Sequence, residues 1–255
     1  MSRDITVNTV WRRYAPAAMR TVILCGGKGT RAYPHTMEVP KPLLEVADRP
    51  VLAHLMEIYA RQGFTDFVLA AGYKLALIQA FAEELPAEWA VEVVDTGADT
   101  NTGGRVRAIA DRVGDDFFLT YADGLGNVDL AALLAFHRSH PGAATLTTVP
   151  LPSQYGTLDV DDAGRVHRFK EKPRLPDHLI NAGFFVLDQR AFDLWPDPGE
   201  DLERDVLPAL GALDELFAFR HLGFWKSMDT YKDAVDLGSL CASGPGPWLS
   251  PPPPG

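Results

Sequence analysis

The chain has 255 residues, 46% hydrophobic and 23% charged, a balance that suits one large water-soluble α/β unit with a sizeable core. Lys and Arg total 24 against 34 Asp and Glu, and the resulting net charge of -10 argues against nucleic acid or an anionic membrane as a general partner. Cys25 and Cys241 are too few for a disulfide framework; no apolar run is long enough for a membrane span or a signal-peptide core, so the expected compartment is the cytoplasm.

Residues 1–18 show no period and are set apart as an N-terminal extension. Thr21-Val22-Ile23-Leu24-Cys25 then reads as a buried parallel strand that breaks into Gly26-Gly27-Lys28-Gly29-Thr30-Arg31. Glycines let backbone N–H groups approach an anion, Thr30 adds a hydroxyl donor, and Lys28, Arg31 and Lys41 supply positive charge. The loop lacks the P-loop spacing. Gly27, Gly29 and Ala32 fit a G-x-G-x-x-A dinucleotide fingerprint, with Asp48 at a plausible distance for a ribose-binding acid. Such a site needs a helix starting inside the motif, whereas Pro34, Pro40 and Pro42 interrupt one and favour a loop that wraps its ligand. The plain alternative is a glycine-rich connection with incidental charge.

Beyond the loop, a short strand at Leu43 to Val46 and a helix from Val51 closed by Gly63 begin an alternation. Strands are expected at Asp66 to Ala70, Ala90 to Val94 and Asp116 to Tyr121, with helices at Leu75 to Glu84, Arg105 to Val113 and Asp129 to Ser139. That rhythm is the pattern of a doubly wound, mostly parallel sheet, in which ligands bind beyond the carboxyl ends of the strands. The glycine loop, Asp95-Thr96-Gly97 and Ala122-Asp123-Gly124 all fall on that edge. From Ala144 the strands become shorter and more antiparallel: Ala144 to Val149, Thr157 to Val160, Val166 to Lys170 and Ile180 to Leu187. A helix near Leu202 to Leu210, a strand near Leu216 to Arg220 and a last helix from Thr230 to about Cys241 follow. His54 and His137 read as helix-surface or partly buried positions without metal spacing. The expected organisation is one domain over 19–243, with halves 19–143 and 144–243, and a disordered proline-rich tail over 244–255.

Several separated motifs occur in order: Gly26 to Arg31, Pro40-Lys41-Pro42, Asp123, Glu171-Lys172-Pro173, Asn181-Ala182-Gly183 and Asp229. Together they make the chain resemble the sugar-1-phosphate nucleotidyltransferases over roughly Met19 to Leu240. The resemblance is nearest to the glucose-1-phosphate cytidylyltransferases, through Asp95-Thr96-Gly97, Thr102-Gly103-Gly104-Arg105, Thr120 to Gly124 and Phe224 to Thr230. It implies a Rossmann-like nucleotide-diphospho-sugar transferase fold with a smaller mixed or antiparallel sugar-binding part. The implied reaction is attack of a sugar phosphate oxygen on the α-phosphorus of a nucleoside triphosphate, with release of pyrophosphate. Its task is to bring two anions together and stabilise developing charge, so cations and a metal are the parts to expect.

By this resemblance Arg31 and Lys41 are the catalytic cations. Gly26, Gly27, Gly29, Thr30, Thr102, Gly104, Arg105 and Asp123 bind the nucleotide, and Asp123 and Asp229 hold Mg2+. Gly156, Glu171, Lys172, Asn181 and Gly183 take the sugar phosphate. Arg105 is expected to donate to cytosine acceptors, which uracil would pair badly, so the substrates implied are CTP and glucose 1-phosphate. The implied assembly is a homo-oligomer. Alone, Asp123 reads as a turn acid, Asp229 as an N-cap, and Glu171 with Lys172 as a salt-bridged hairpin.

Two departures stand out: the chain runs almost directly from the helix ending near Leu85 to Asp95, where these enzymes carry a longer segment, and Ala122 replaces a usual glycine. The alternatives are the same reaction with another nucleotide or another sugar, heptose or cyclitol phosphate, a non-catalytic protein that binds sugar nucleotides, and a nicotinamide-dependent dehydrogenase.

Overall fold

The computed structural model describes residues 19–251, so the N-terminal extension and residues 252–255 of the tail lie outside the described residues. Arg20–Leu24 (β1) carries four buried residues in a row, as a strand covered on both faces must. A hairpin of Glu45–Val46 (β2) and Arg49–Pro50 (β3) leads into helix Val51–Ala60 (α1). Asp66–Ala71 (β4), Leu75–Glu83 (α2), Ala90–Asp95 (β5), Thr102–Arg107 (α3) and Asp116–Tyr121 (β6) follow. Next come Gly124–Gly126 (β7), Leu130–His137 (α4), Ala144–Pro152 (β8), Thr157–Val160 (β9), Val166–Lys170 (β10) and Arg174–Asp188 (β11). Leu207–Ala212 (α5), Leu216–Arg220 (β12), Trp225–Ser227 (β13) and Tyr231–Ser239 (α6) complete the order.

Seven strands form one sheet in the order β12-β8-β11-β6-β1-β4-β5. β1 lies parallel to both β4 and β6, and β5 extends the parallel half. β11 runs antiparallel to β6 and β8, while β12 returns parallel to β8, which gives the mixed second half. Alternate residues serve opposite faces. Ile23, Phe67, Leu69, Phe118 and Phe184 pack with α1 on one side. Val22, Val68, Leu119 and Phe185 pack with Val106, Leu202, Val206 and Leu210 on the other.

The strands after Ala144 are not all shorter, since β8 has nine residues and β11, read from the sequence over Ile180 to Leu187, has fifteen; and the strand read over Leu43 to Val46 is only Glu45–Val46, after a 3-10 turn at Lys41–Leu43. Four further expectations change. The helix read over Arg105 to Val113 starts at Thr102, ends at Arg107, and is followed by a separate 3-10 turn at Ala110–Arg112. Gly103 and Gly104 look like breakers, but here they let the helix press against the backbone and side chain of the Gly199–Glu200 segment, so tertiary packing overrides propensity. The helix read from Leu202 begins with a π-helical turn over Leu202–Val206 before α5. His54 and His137 are both buried rather than on a helix surface. The His54 Nε2 lies 2.7 Å from the Val46 carbonyl, the His137 Nδ1 2.9 Å from Thr145 Oγ1, and burial lowers the pKa of each.

The fourth change concerns the tail. Its described part, through Pro251, is docked rather than disordered. Trp248 is 1% exposed, meets the His54 ring edge-on at 5.2 Å and lies 6.0 Å from the Phe224 ring. Asn127 Nδ2 donates to the Pro251 carbonyl at 3.0 Å. One indole supplies enough apolar area to hold a short segment whose prolines have little backbone freedom to lose. Trp248→Ala is therefore expected to cost about 3–5 kcal/mol of unfolding free energy in urea. Tyr155→Ala, at a side chain 78% exposed, is expected to change it by less than about 0.5 kcal/mol. Equal effects would mean the tail contributes nothing to the core.

Candidate active site

β7 and β13 pair as a two-stranded antiparallel ribbon in which Ser227 faces Gly124, and the Met228 amide donates to the Asp123 carbonyl at 2.8 Å. This ribbon brings together two carboxylates a hundred residues apart in the chain. Lys41 Nζ lies 2.6 Å from Asp123 Oδ2 and 3.6 Å from Asp229 Oδ1. Arg31 Nη1 reaches the same Asp229 oxygen at 2.9 Å, and Ser227 Oγ donates to Asp229 Oδ2 at 3.1 Å. The prolines on either side of Lys41 set a 3-10 turn over Lys41–Leu43, leaving the lysine only 9% exposed with its ammonium on the carboxylates. The glycine loop breaks into three short 3-10 turns rather than a long helix, as its prolines demand. Gly29 starts the first at φ 60°, and a Cβ there would lie 2.7 Å from the Lys41 Cβ.

Arg105 is 2% exposed and crosses behind the loops. Its Nη1 donates to Thr96 Oγ1 at 2.6 Å, the Gly97 carbonyl at 2.8 Å and the Ala71 carbonyl at 3.1 Å, while Nη2 donates to the Gly26 carbonyl at 2.9 Å. Thr96 Oγ1 passes its own hydrogen to the Ala71 carbonyl at 2.6 Å. A Cβ on Gly26 would collide with this guanidinium, so glycine is needed there for the arginine as much as for any ligand. Burial also pushes the neighbouring Cys25 thiol up to about 12, with the Arg105 charge working against the rise. Cys25 therefore stays protonated at neutral pH and is not a nucleophile.

These groups line a cleft of about 520 Å³. Of the expected residues, Gly26, Gly27, Gly29, Arg31, Lys41, Thr102, Arg105, Asp123, Asn181, Gly183 and Asp229 form its walls. Thr30 instead faces a neighbouring pocket with Lys28 and Tyr73, and Gly104 packs on Glu200. Gly156, Glu171 and Lys172 lie outside the walls. The last two are each 64% exposed in their side chains, with 3.8 Å between ammonium and carboxylate. Tyr121, Glu203 and Trp225 line the cleft without having been singled out from the sequence. Tyr121 and Trp225 sit inside motifs that could have flagged them. Glu203 carries no local signal.

A model described as Nucleotidyl transferase matches residues 20–237 of this chain. The chain belongs to the nucleotidyl transferase family. The glucose-1-phosphate cytidylyltransferase of Salmonella typhi is 38% identical over 254 residues, covering 90% of this chain and 98% of that protein. A probable glucose-1-phosphate cytidylyltransferase of Bacillus subtilis is also 38% identical, over 90% of this chain and 99% of its own length. The crystal structure of HddC from Yersinia pseudotuberculosis complexed with GMP-PN superposes with a TM-score of 0.68 at 23% identity, covering 87% of this chain and 98% of that one. It shows the shared fold.

Nucleotidyl transferases generally use a divalent metal. Asp123 and Asp229 fit one: they are hard oxygen donors sharing a single ammonium, and such ions keep waters and substrate phosphates as their other ligands. Among the described residues no group of three or more His, Cys, Asp and Glu forms a closed metal cage, so the pair would hold a metal only with substrate and water completing its shell.

The internal hydrogen bonds of Arg105 generate a test. Arg105→Ala removes four hydrogen bonds and empties the space of a nearly buried guanidinium, and is expected to cost about 2–4 kcal/mol of stability, with the Gly26 and Ala71 carbonyls keeping the Tyr73 and Thr96 amides as donors. An arginine whose only task is to touch a bound base would cost almost none. Denaturant unfolding of the ligand-free variant separates the two.

Proposed function

We propose that this nucleotidyl transferase uses CTP and glucose 1-phosphate, with Mg2+, to form CDP-glucose and pyrophosphate. The observation that carries the reading is the bridging of Asp123 and Asp229 by Lys41, with Arg31 on the same carboxylate, in a cleft that also takes in the glycine loop. The 38% identity to glucose-1-phosphate cytidylyltransferases supports the choice of substrates. Asp123 and Asp229 would hold Mg2+, which would supply divalent charge to offset that of the phosphates.

The chain's own groups do the rest. Arg31 binds the triphosphate. Lys41, drawn off the carboxylates by the incoming phosphates, stands between the sugar phosphate and the α-phosphorus and lowers the repulsion between two anions. The attacking phosphate oxygen forms a bond to the α-phosphorus as the bond to the β-phosphate oxygen breaks, and pyrophosphate leaves with that electron pair. The nucleophile is already ionised, so the site needs no general base. The backbone amides of Gly26, Gly27 and Gly29 can approach the phosphates closely. For Arg105 the internal hydrogen bonds support an indirect part in nucleotide binding: it holds the Gly26, Ala71 and Gly97 carbonyls in place around the base.

Glu171 and Lys172 stand on the exposed β9–β10 hairpin side of the site, so their proposed grip on the sugar phosphate needs that hairpin to fold toward the cleft. The hairpin also exposes the cross-strand pairs Leu158–Phe169 and Val160–Val166. That exposed apolar face supports assembly into a homo-oligomer. Two unpaired cysteines suit the cytoplasm.

The reading is tested by pyrophosphate release with CTP, UTP, GTP, ATP and dTTP against glucose 1-phosphate at saturating Mg2+. CTP is expected to lead. Asp123→Asn and Asp229→Asn are each expected to lower turnover at limiting Mg2+ by about a hundredfold or more, with near-normal thermal unfolding. Normal turnover in both would remove the metal assignment. Lys172→Ala is expected to raise the KM for glucose 1-phosphate about tenfold and leave that for CTP unchanged. The reverse pattern would exchange the roles of the two halves.

A further inference from the structure

Glu203 lines the same cleft but has no part in the phosphoryl chemistry above. It sits on the π-helical turn that opens after Asp201, whose side chain accepts from the Glu203 amide at 3.1 Å and the Arg204 amide at 2.8 Å. Wide turns of this kind recur at functional sites, where they re-aim a side chain. Here the re-aimed side chain is a carboxylate held by two hydroxyls. Thr102 Oγ1 donates to Glu203 Oε2 at 2.8 Å and itself accepts from the Leu202 amide at 2.9 Å. The Tyr121 hydroxyl donates to Glu203 Oε1 and lies 3.4 Å from Asn181 Nδ2.

The Tyr121 ring is fixed in turn by Gly183, which adopts φ +80° and where a Cβ would lie 2.6 Å from the Tyr121 Cδ2. Asn181-Ala182-Gly183 thus seats the tyrosine that aims the carboxylate. No lysine or arginine among the described residues pairs with Glu203, so its charge is not spent on a salt bridge. An ionised carboxylate has about four acceptor positions, and the two hydroxyls occupy two of them. The remaining positions repel phosphates and attract O–H donors. Resting on the reading of the cleft as a sugar-phosphate site, we propose that Glu203, oriented by Tyr121 and Thr102, accepts a hydroxyl hydrogen from the hexose ring of the sugar 1-phosphate and selects among sugars. The link through Tyr121 to Asn181 and Gly183 favours the hexose over the ribose of the nucleotide.

The experiment pairs Glu203→Gln and Tyr121→Phe with 2-, 3-, 4- and 6-deoxyglucose 1-phosphate, reading pyrophosphate release with CTP and Mg2+. The wild type is expected to lose about ten- to a hundredfold in kcat/KM on one deoxy analogue. Glu203→Gln is expected to lose a similar factor on glucose 1-phosphate, chiefly through KM, and nothing further on that same analogue. Tyr121→Phe should show a smaller loss confined to the same position. The KM for CTP and the thermal unfolding of Glu203→Gln should match the wild type. Penalties that simply multiply on all four analogues would overturn the proposal. So would a Glu203→Gln penalty that disappears with dCTP, since the ribose would then be the group read. A wild type that releases no pyrophosphate from any of these pairs would instead remove the sugar-phosphate reading itself.

Discussion

Two carboxylates set side by side in a partly buried cleft repel each other unless a cation lies between them, and Lys41 meets that constraint. Its ammonium touches Asp123 and Asp229 together, and Arg31 adds a second cation to Asp229. The four formal charges sum to zero, so the cluster balances its own charge. In the proposed reaction Asp123 and Asp229 would hold a divalent ion, and Lys41 and Arg31 would turn to the phosphates. What makes the cluster possible is the β7–β13 ribbon, which fixes Asp123 and Asp229 on neighbouring backbone segments outside the main sheet.

Arg105 answers a second problem, the backbone groups freed where parallel strands end. Where β1, β4 and β5 end, the carbonyls of Gly26, Ala71 and Gly97 converge on the Arg105 side chain behind the loops. One planar guanidinium reaches all three, adding to the Tyr73 amide on Gly26 and the Thr96 amide on Ala71, and so ties the glycine loop to its two neighbours. The glycines at 26 and 72 are the clearance this requires, since a Cβ at either would strike the arginine. A loop that looks adapted only to phosphate is therefore also adapted to the side chain behind it.

Much of this was legible in the chain. The parallel half declares itself through apolar runs alternating with helical periods, and its strand at 116–121 falls where that pattern places it; in the second half the strands at 157–160, 166–170 and 216–220 also fall where they are expected. Arg31, Lys41, Asp123 and Asp229 stand out only through the order of separated motifs and the resemblance that order carries, since Asp123 and Asp229 taken alone read as a turn acid and an N-cap; the structure brings all four side chains together. The β7–β13 ribbon was not legible, because three-residue strands separated by about a hundred residues leave no periodic trace. Trp248 was hidden by its prolines, which resemble a disordered tail until the one indole finds His54 and Phe224. Arg105 reads equally well as a base contact or a brace, and only its partners distinguish the two. Glu203 had no motif because its setting comes from Tyr121 and Thr102, far away in sequence.

The overall charge of -10 and an anionic ligand are reconciled by distance. At physiological ionic strength, exposed charges more than about 8 Å apart are largely screened, so the acidic surface contributes little inside the cleft. Lys41 is nearly buried and feels its neighbours in a lower dielectric, where each contact counts for more. The acidic surface and the cationic cluster therefore act over separate ranges. The first discourages polyanions such as nucleic acid from binding over wide areas. The second acts only on an anion small enough to enter a cleft of about 520 Å³ and reach Lys41 directly. Selection by size and depth thus precedes selection by hydrogen bonds. A carboxylate such as Glu203 can then share the cleft with two phosphates, provided it meets the part of the ligand that carries hydroxyls rather than charge.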